Sequence, residues 1–137
     1  MNKIIVSSLD KKFKPEAKKI SAKVRKIFLL LKRDGYSADI YLAGDKIMRK
    51  LNKNFRNKNK ATNVLSFCEP KNFVNAPSKH NYLGEIYIGP NFIKTHKQDI
   101  NLMVVHGVLH LFGFDHVVSK DRKRMEKEEI AILSKLN

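Results

Sequence analysis

Apolar residues recur along this chain with two different periods, and the switches between them outline its elements. Over residues 15–32, Ile20, Val24, Ile27, Phe28 and Leu31 return every three or four positions, the spacing of one helix face. Pro15 suits the first helical turn, where a missing N–H costs nothing, and Asp34-Gly35 ends the segment. Residues 36–42 change to period two, with Ala38, Ile40 and Leu42 on one face of a predicted strand. The short apolar run at 3–6 predicts an edge strand. Asp45 is a good N-cap for a helix over 46–55, whose inward stripe would be Ile47, Met48, Leu51 and Phe55. Strands are expected over 62–67 and 83–88, the second ended by Gly89-Pro90. The intervening loop, 69–81, makes an antiparallel pair the simplest connection.

The next segment has no polar side. Residues 91–112 predict helix with an interruption near Lys97-Gln98-Asp99, and from Ile100 onward almost every direction is apolar. A helix of that kind is buried. Ser119 is expected to cap a last helix to about residue 136, with Met125, Ile132, Leu133 and Leu136 inward and Asp121 in the favourable first turn. Strands and helices mix without strict βαβ repetition. The expected fold is therefore α+β, a single domain over 1–137. It has a small mixed sheet of about four strands, a central buried helix packed on it, and further helices around.

Charge narrows the partners. Lys and Arg number 28 against 13 acids, a formal net charge of +15 in a chain of 137 residues. Such an excess favours a polyanion: RNA, DNA or an anionic membrane. The densest run lies between Asp45 and Glu69, which holds Lys46, Arg49, Lys50, Lys53, Arg56, Lys58 and Lys60 with no acid among them. Lys18, Lys19, Lys23, Arg25 and Lys26 on the first helix read as ordinary solvated surface. No apolar run reaches the roughly 18 residues of a membrane span, no signal peptide is evident, and Cys68 is the single cysteine, so no internal disulfide can form. The expectation is a cytoplasmic protein with no membrane partner.

The chemistry sits on the buried helix. His106 and His110 are four residues apart and point from one face. Gly113 can take a positive φ and end the helix, letting the chain fold back and bring His116 to the same point. Three imidazoles meeting there would hold one divalent ion with an open position, the pattern of a catalytic zinc. Copper and nickel suit the same ligands. A closed structural zinc, with Cys68 or His80 as fourth ligand, is the competing arrangement. The H-x3-H-x5-H spacing, with glycine three residues after the second histidine, is similar to the long zinc-protease motif. Gly107 stands where that motif needs a glutamate base, which argues against peptide hydrolysis.

HGVLHLFGFDH, residues 106–116, closely resembles the H-G-x-L-H-L-x-G-[YF]-D-H signature of the YbeY family of bacterial ribosomal RNA maturation factors. Two further blocks agree. NKNFRNKNKATNVLSF, residues 52–67, resembles the family's L-N-x-x-[FY]-R followed by T-D-V-L-S-F, and Leu83-Gly84-Glu85-Ile86 resembles its L-G-[DE]-I strand. The likeness runs from about Leu51 to the end, and Asn63 departs from it where the family commonly has aspartate. It implies a single-strand-specific, metal-dependent endoribonuclease with one Zn²⁺ per chain, acting in 16S rRNA 3′-end maturation and ribosome quality control. Its partners would be rRNA and the ribosomal subunit or its proteins. Arg56 would by composition be a surface residue; the resemblance makes it the functional arginine. Its planar, permanently charged guanidinium can hold two phosphate oxygens at once. Asp115 is a candidate to orient a histidine, and Thr62 and Ser66 candidates to bind phosphate or to serve the strand. His80 and His96 match no ligand spacing. The other functional classes are a non-catalytic ribosome- or RNA-binding module with structural zinc, and a metalloprotease-like hydrolase.

Overall fold

The structure is a computed structural model that describes residues 1–69, 81–114 and 119–136. Four strands form one mixed sheet: β1 (Lys3–Ser8), β2 (Tyr36–Leu42), β3 (Val64–Cys68) and β4 (Asn81–Ile88), in the order β1-β2-β4-β3. β1 pairs parallel with β2, and β2 with β4, while β3 and β4 are the expected antiparallel pair. The 3–6 run is an edge strand two residues longer than its apolar part. At Gly84, φ is +133°, and a Cβ there would lie 2.0 Å from the Phe67 carbonyl oxygen. Only glycine lets β3 approach so closely.

One face of the sheet carries the main core. Ala38, Ile40, Leu42, Ile86 and Ile88 point into it and meet α1 (Lys14–Leu30) and α4 (Ile100–Leu111). On α1 the buried residues are Ile20, Val24, Ile27 and Phe28, with Leu31 packed beside them, as the period of three and four requires. Arg25 donates to the Ile4 carbonyl, fastening α1 to β1. α5 (Ser119–Leu136) closes over α4 with Met125, Ile132, Leu136 and the partly buried Leu133, and Ser119 is its first residue. The expected 91–112 helix is interrupted where anticipated. It forms α3 (Pro90–Thr95) and α4, separated by Lys97 at φ +53° and by Asp99, whose carboxylate caps α4 through the Asn101 N–H.

α2 (Asp45–Arg56) covers part of the opposite face, and here two expectations fail. Gly44, not Asp45, is the N-cap; Asp45 is the first helical residue. Ile47 and Phe55 are not core: they are 38% and 64% exposed. The cluster under α2 is small, formed by Ala43, Met48 and Leu65 with Leu51, Phe67 and Tyr87 at its margin. Phe55 instead meets the Phe67 ring at the rim, 4.8 Å between centroids. The place one turn after Met48 belongs to a polar residue, Asn52, 1% exposed, whose amide donates to the Lys60 carbonyl at 2.9 Å.

Candidate active site

His106 and His110 rise from the same face of α4, both half-buried. Their Nε2 atoms lie 3.0 Å apart. On its other nitrogen, His106 meets Glu129 of α5, with Nδ1 3.1 Å from Oε1. A carboxylate can only accept, so the neutral ring keeps its proton on Nδ1 and turns an Nε2 lone pair towards His110. The Glu129 side chain is 13% exposed, so water does little to screen this contact.

The helix can approach the sheet this closely because of Gly107. A Cβ at that position would sit 3.1 Å from Ile86 Cγ2 and 3.3 Å from Val64 Cγ2. The position that carries the base in the protease motif therefore faces β3 and β4, where a glutamate has no room. Two side chains of β3 bind the same stretch of helix backbone: Ser66 Oγ donates to the Gly107 carbonyl and Cys68 Sγ to that of His110, each at 3.3 Å.

The histidines open into a cleft of about 430 Å³ whose walls include Arg56, Asn63, Ser66 and Cys68. α2 delivers Arg56 as its last residue, β3 delivers Ser66 and Cys68, and the turn between them delivers Asn63. Arg56 and Ser66, expected at the phosphate, and His106 and His110, expected at the metal, thus share one cavity although far apart in sequence. Arg56 is exposed and forms no ion pair among the described residues. Asn63 uses both ends of its amide. Nδ2 donates to Gln98 Oε1 and contacts Met103 Sδ, each at 3.1 Å, and Oδ1 accepts from the Val64 N–H at 2.6 Å. An aspartate could not make the two Nδ2 contacts as a carboxylate, so the departure at Asn63 has a structural use in linking β3 to α4.

His116, Asp115 and His80 lie outside the described residues. Among the described residues no three His, Cys, Asp or Glu side chains gather as a metal site. His106 and His110 nevertheless fit half of a zinc centre. Nitrogens each about 2.0–2.1 Å from a tetrahedral zinc lie a little over 3 Å apart, and a carboxylate behind a ligand imidazole is the usual way such a ring is oriented. Glu129 is the residue that sequence reasoning missed. Its signal was present: it stands four positions after Met125 and three before Ile132, an acid on the apolar face of α5. The remaining candidates separate. Thr62 lies outside the cleft, in the adjoining pocket, and His96 is exposed and stacked on Phe92.

A model of the family described as Endoribonuclease YbeY matches residues 5–137. A protein of Pelagibacter ubique with that name is 48% identical over 98 residues, covering 66% of this chain and 63% of its own length, so the matched part is under two thirds of that relative. A namesake from Thermodesulfovibrio yellowstonii is 33% identical over 154 aligned positions, covering 96% and 95% of the two chains. One from Anaplasma phagocytophilum is 35% identical over 144, covering 95% and 90%. The solution structure of TM1509 from Thermotoga maritima superposes with a TM-score of 0.63 over 97% of this chain and 88% of that one, at 22% identity, a likeness of fold. Motif, cleft and relatives agree, and the chain belongs to the YbeY family.

Proposed function

We propose that this protein is a metal-dependent endoribonuclease that hydrolyses single-stranded RNA in 16S rRNA 3′-end maturation and ribosome quality control, using one zinc ion held by His106, His110 and His116. The observation that carries the reading is the convergence of the two Nε2 atoms, 3.0 Å apart, in a cleft also walled by Arg56. A zinc bound there supplies a Lewis acid and a water acidified to near neutral pH, chemistry that needs no glutamate at position 107.

The residues then divide the work. Glu129 accepts a hydrogen bond from the Nδ1–H of His106 and holds the ring so that its Nε2 faces the cleft. α4, buried on the sheet, keeps the histidine pair at fixed separation. Arg56, which lines the same cleft, meets the phosphate. As water adds to phosphorus, negative charge grows on the nonbridging oxygens, and a guanidinium aimed at them stabilises that state more than the ground state. The family name, endoribonuclease, supports RNA as the substrate, and the net charge of +15 supports a polyanion.

The test is single-turnover cleavage of single-stranded RNA by Arg56→Ala and Arg56→Lys, with metal content measured in both. The alanine variant should lose roughly 10²–10³-fold in kcat with a smaller change in KM, and the lysine variant should recover only part because the two-pronged contact is gone. Cleavage by Arg56→Ala at the parent rate would remove Arg56 from the mechanism.

A further inference from the structure

A second cavity, of about 520 Å³, adjoins the cleft and shares Arg56 and Asn63 with it. Its size falls within the roughly 300–1,000 Å³ of ligand pockets. Its other walls include two kinds of group suited to a nucleotide. One is basic: Lys58 and Lys60 on the turn after α2. The second is aromatic: Phe92 and His96 of α3 and its end, stacked with ring centroids 3.8 Å apart and planes at 17°.

We infer that this pocket is a nucleotide subsite, in which a base of the bound RNA strand stacks on the Phe92–His96 pair while Lys58 and Lys60 hold its phosphate. The inference rests on the ribonuclease reading of the neighbouring cleft and adds where the strand continues from it. Cationic grooves interleaved with aromatic faces are how proteins hold single-stranded nucleic acid, because every base offers a π-face.

The ring pair and the backbone of the basic turn are held in place before any ligand arrives. His96 Nδ1 donates to the Phe92 carbonyl at 2.9 Å, which locks the exposed imidazole over the half-buried phenyl ring. The basic turn is tied to α2 twice: Asn52 Nδ2 donates to the Lys60 carbonyl at 2.9 Å and Arg49 Nε to Asn59 Oδ1 at 2.8 Å. Fixed groups lose little freedom on binding, and affinity gains accordingly. Apart from Arg56, the other cations of this segment do not join them. Lys46, Lys50 and Lys53 line a separate groove beside Asn59 and Ala61, away from the histidines. From the basic run the pocket therefore takes Arg56, shared with the cleft, together with Lys58 and Lys60.

The experiment measures the affinity of the full-length, metal-loaded protein for a short labelled single-stranded RNA and, by competition, for inorganic polyphosphate, alongside RNA cleavage by the parent protein. His96→Ala should weaken RNA binding about tenfold and leave polyphosphate binding unchanged, and His96→Phe should restore RNA binding. Lys60→Ala should weaken both ligands and lower the log–log salt slope for RNA by about 0.7. Parent-like RNA affinity in His96→Ala, or an equal loss towards polyphosphate, would overturn the subsite. If the RNA-selective loss appears but the parent protein cleaves no RNA, the subsite stands and the catalytic reading of the cleft falls.

Discussion

The two faces of the sheet carry polar groups of opposite character. On the α4 side, Ser66 and Cys68 grip the backbone of a helix that presents two histidines, and Arg56 lines the same cleft. On the other side lie tyrosines and acids that satisfy one another. Tyr82 donates to Asp39 at 2.9 Å, Tyr87 donates to Glu85 at 2.8 Å, and Tyr41 stacks on Tyr87 with centroids 4.9 Å apart. Burial, reinforced by the carboxylates, raises the pKa of all three phenols, that of Tyr87 to about 12. The difference is one of pairing. On the tyrosine face the Tyr82 and Tyr87 hydroxyls are each paired with a carboxylate. The cleft instead aims ring nitrogens at each other and leaves a guanidinium with no described counter-ion.

The sharpest way to break that contrast is to fill the gap that lets α4 lie on the sheet. Gly107→Glu would recreate the protease-type spacing, but the added Cβ already meets Ile86 and Val64 within 3.1–3.3 Å. A carboxylate forced between helix and sheet costs several kcal/mol. The variant should therefore fail to fold stably and show no peptidase activity; thermal melting together with a peptide-cleavage assay checks both, and a folded, peptide-cleaving variant would contradict the account.

A smaller effect is expected behind the ring. Glu129→Gln keeps the size of the side chain but removes the charge that sets the orientation of His106. Zinc affinity should fall about 10–100-fold while the melting temperature moves little, as zinc titration against a competing chelator would show. Unchanged affinity would mean that the contact serves only the packing of α5 on α4.

The weakest effect belongs to the other face. Tyr82→Phe should cost about 0.5–1.5 kcal/mol in denaturant unfolding and leave RNA cleavage as it was. The phenols also predict a pH window. Folding raises the Tyr87 pKa from 10.0 to about 12, so the folded state binds more protons between those values. Their contribution is complete below pH 10 and fades as the pH climbs through 12. Tyr87→Phe should flatten that decline, and a cleavage defect in either variant would show that the two faces are not independent.

How far the chain could be read in advance depended on which surface each element meets. α1, β2 and the break before α4 were legible because a large core on one side imposes a single period on the apolar residues. α2 was not. Its core is three residues wide, so Ile47 and Phe55 could stay outside while Asn52 went in to serve the Lys60 carbonyl. The histidine pair was legible from its spacing alone. Arg56 was singled out through family resemblance; its meeting with the histidines depends on β3 lying beside α4 at the sheet edge, which no local pattern encodes. Glu129 was hidden among the charges of α5.

The central claim is that the histidines form a metal centre for RNA cleavage, and metal stoichiometry tests it most directly. Purified protein should carry one zinc per chain and cleave single-stranded RNA. His106→Ala, His110→Ala and His116→Ala should each stay folded, lose the metal and lose cleavage by about a thousandfold or more. Full metal occupancy in two of the three variants, or undiminished RNA cleavage by metal-stripped protein, would contradict it.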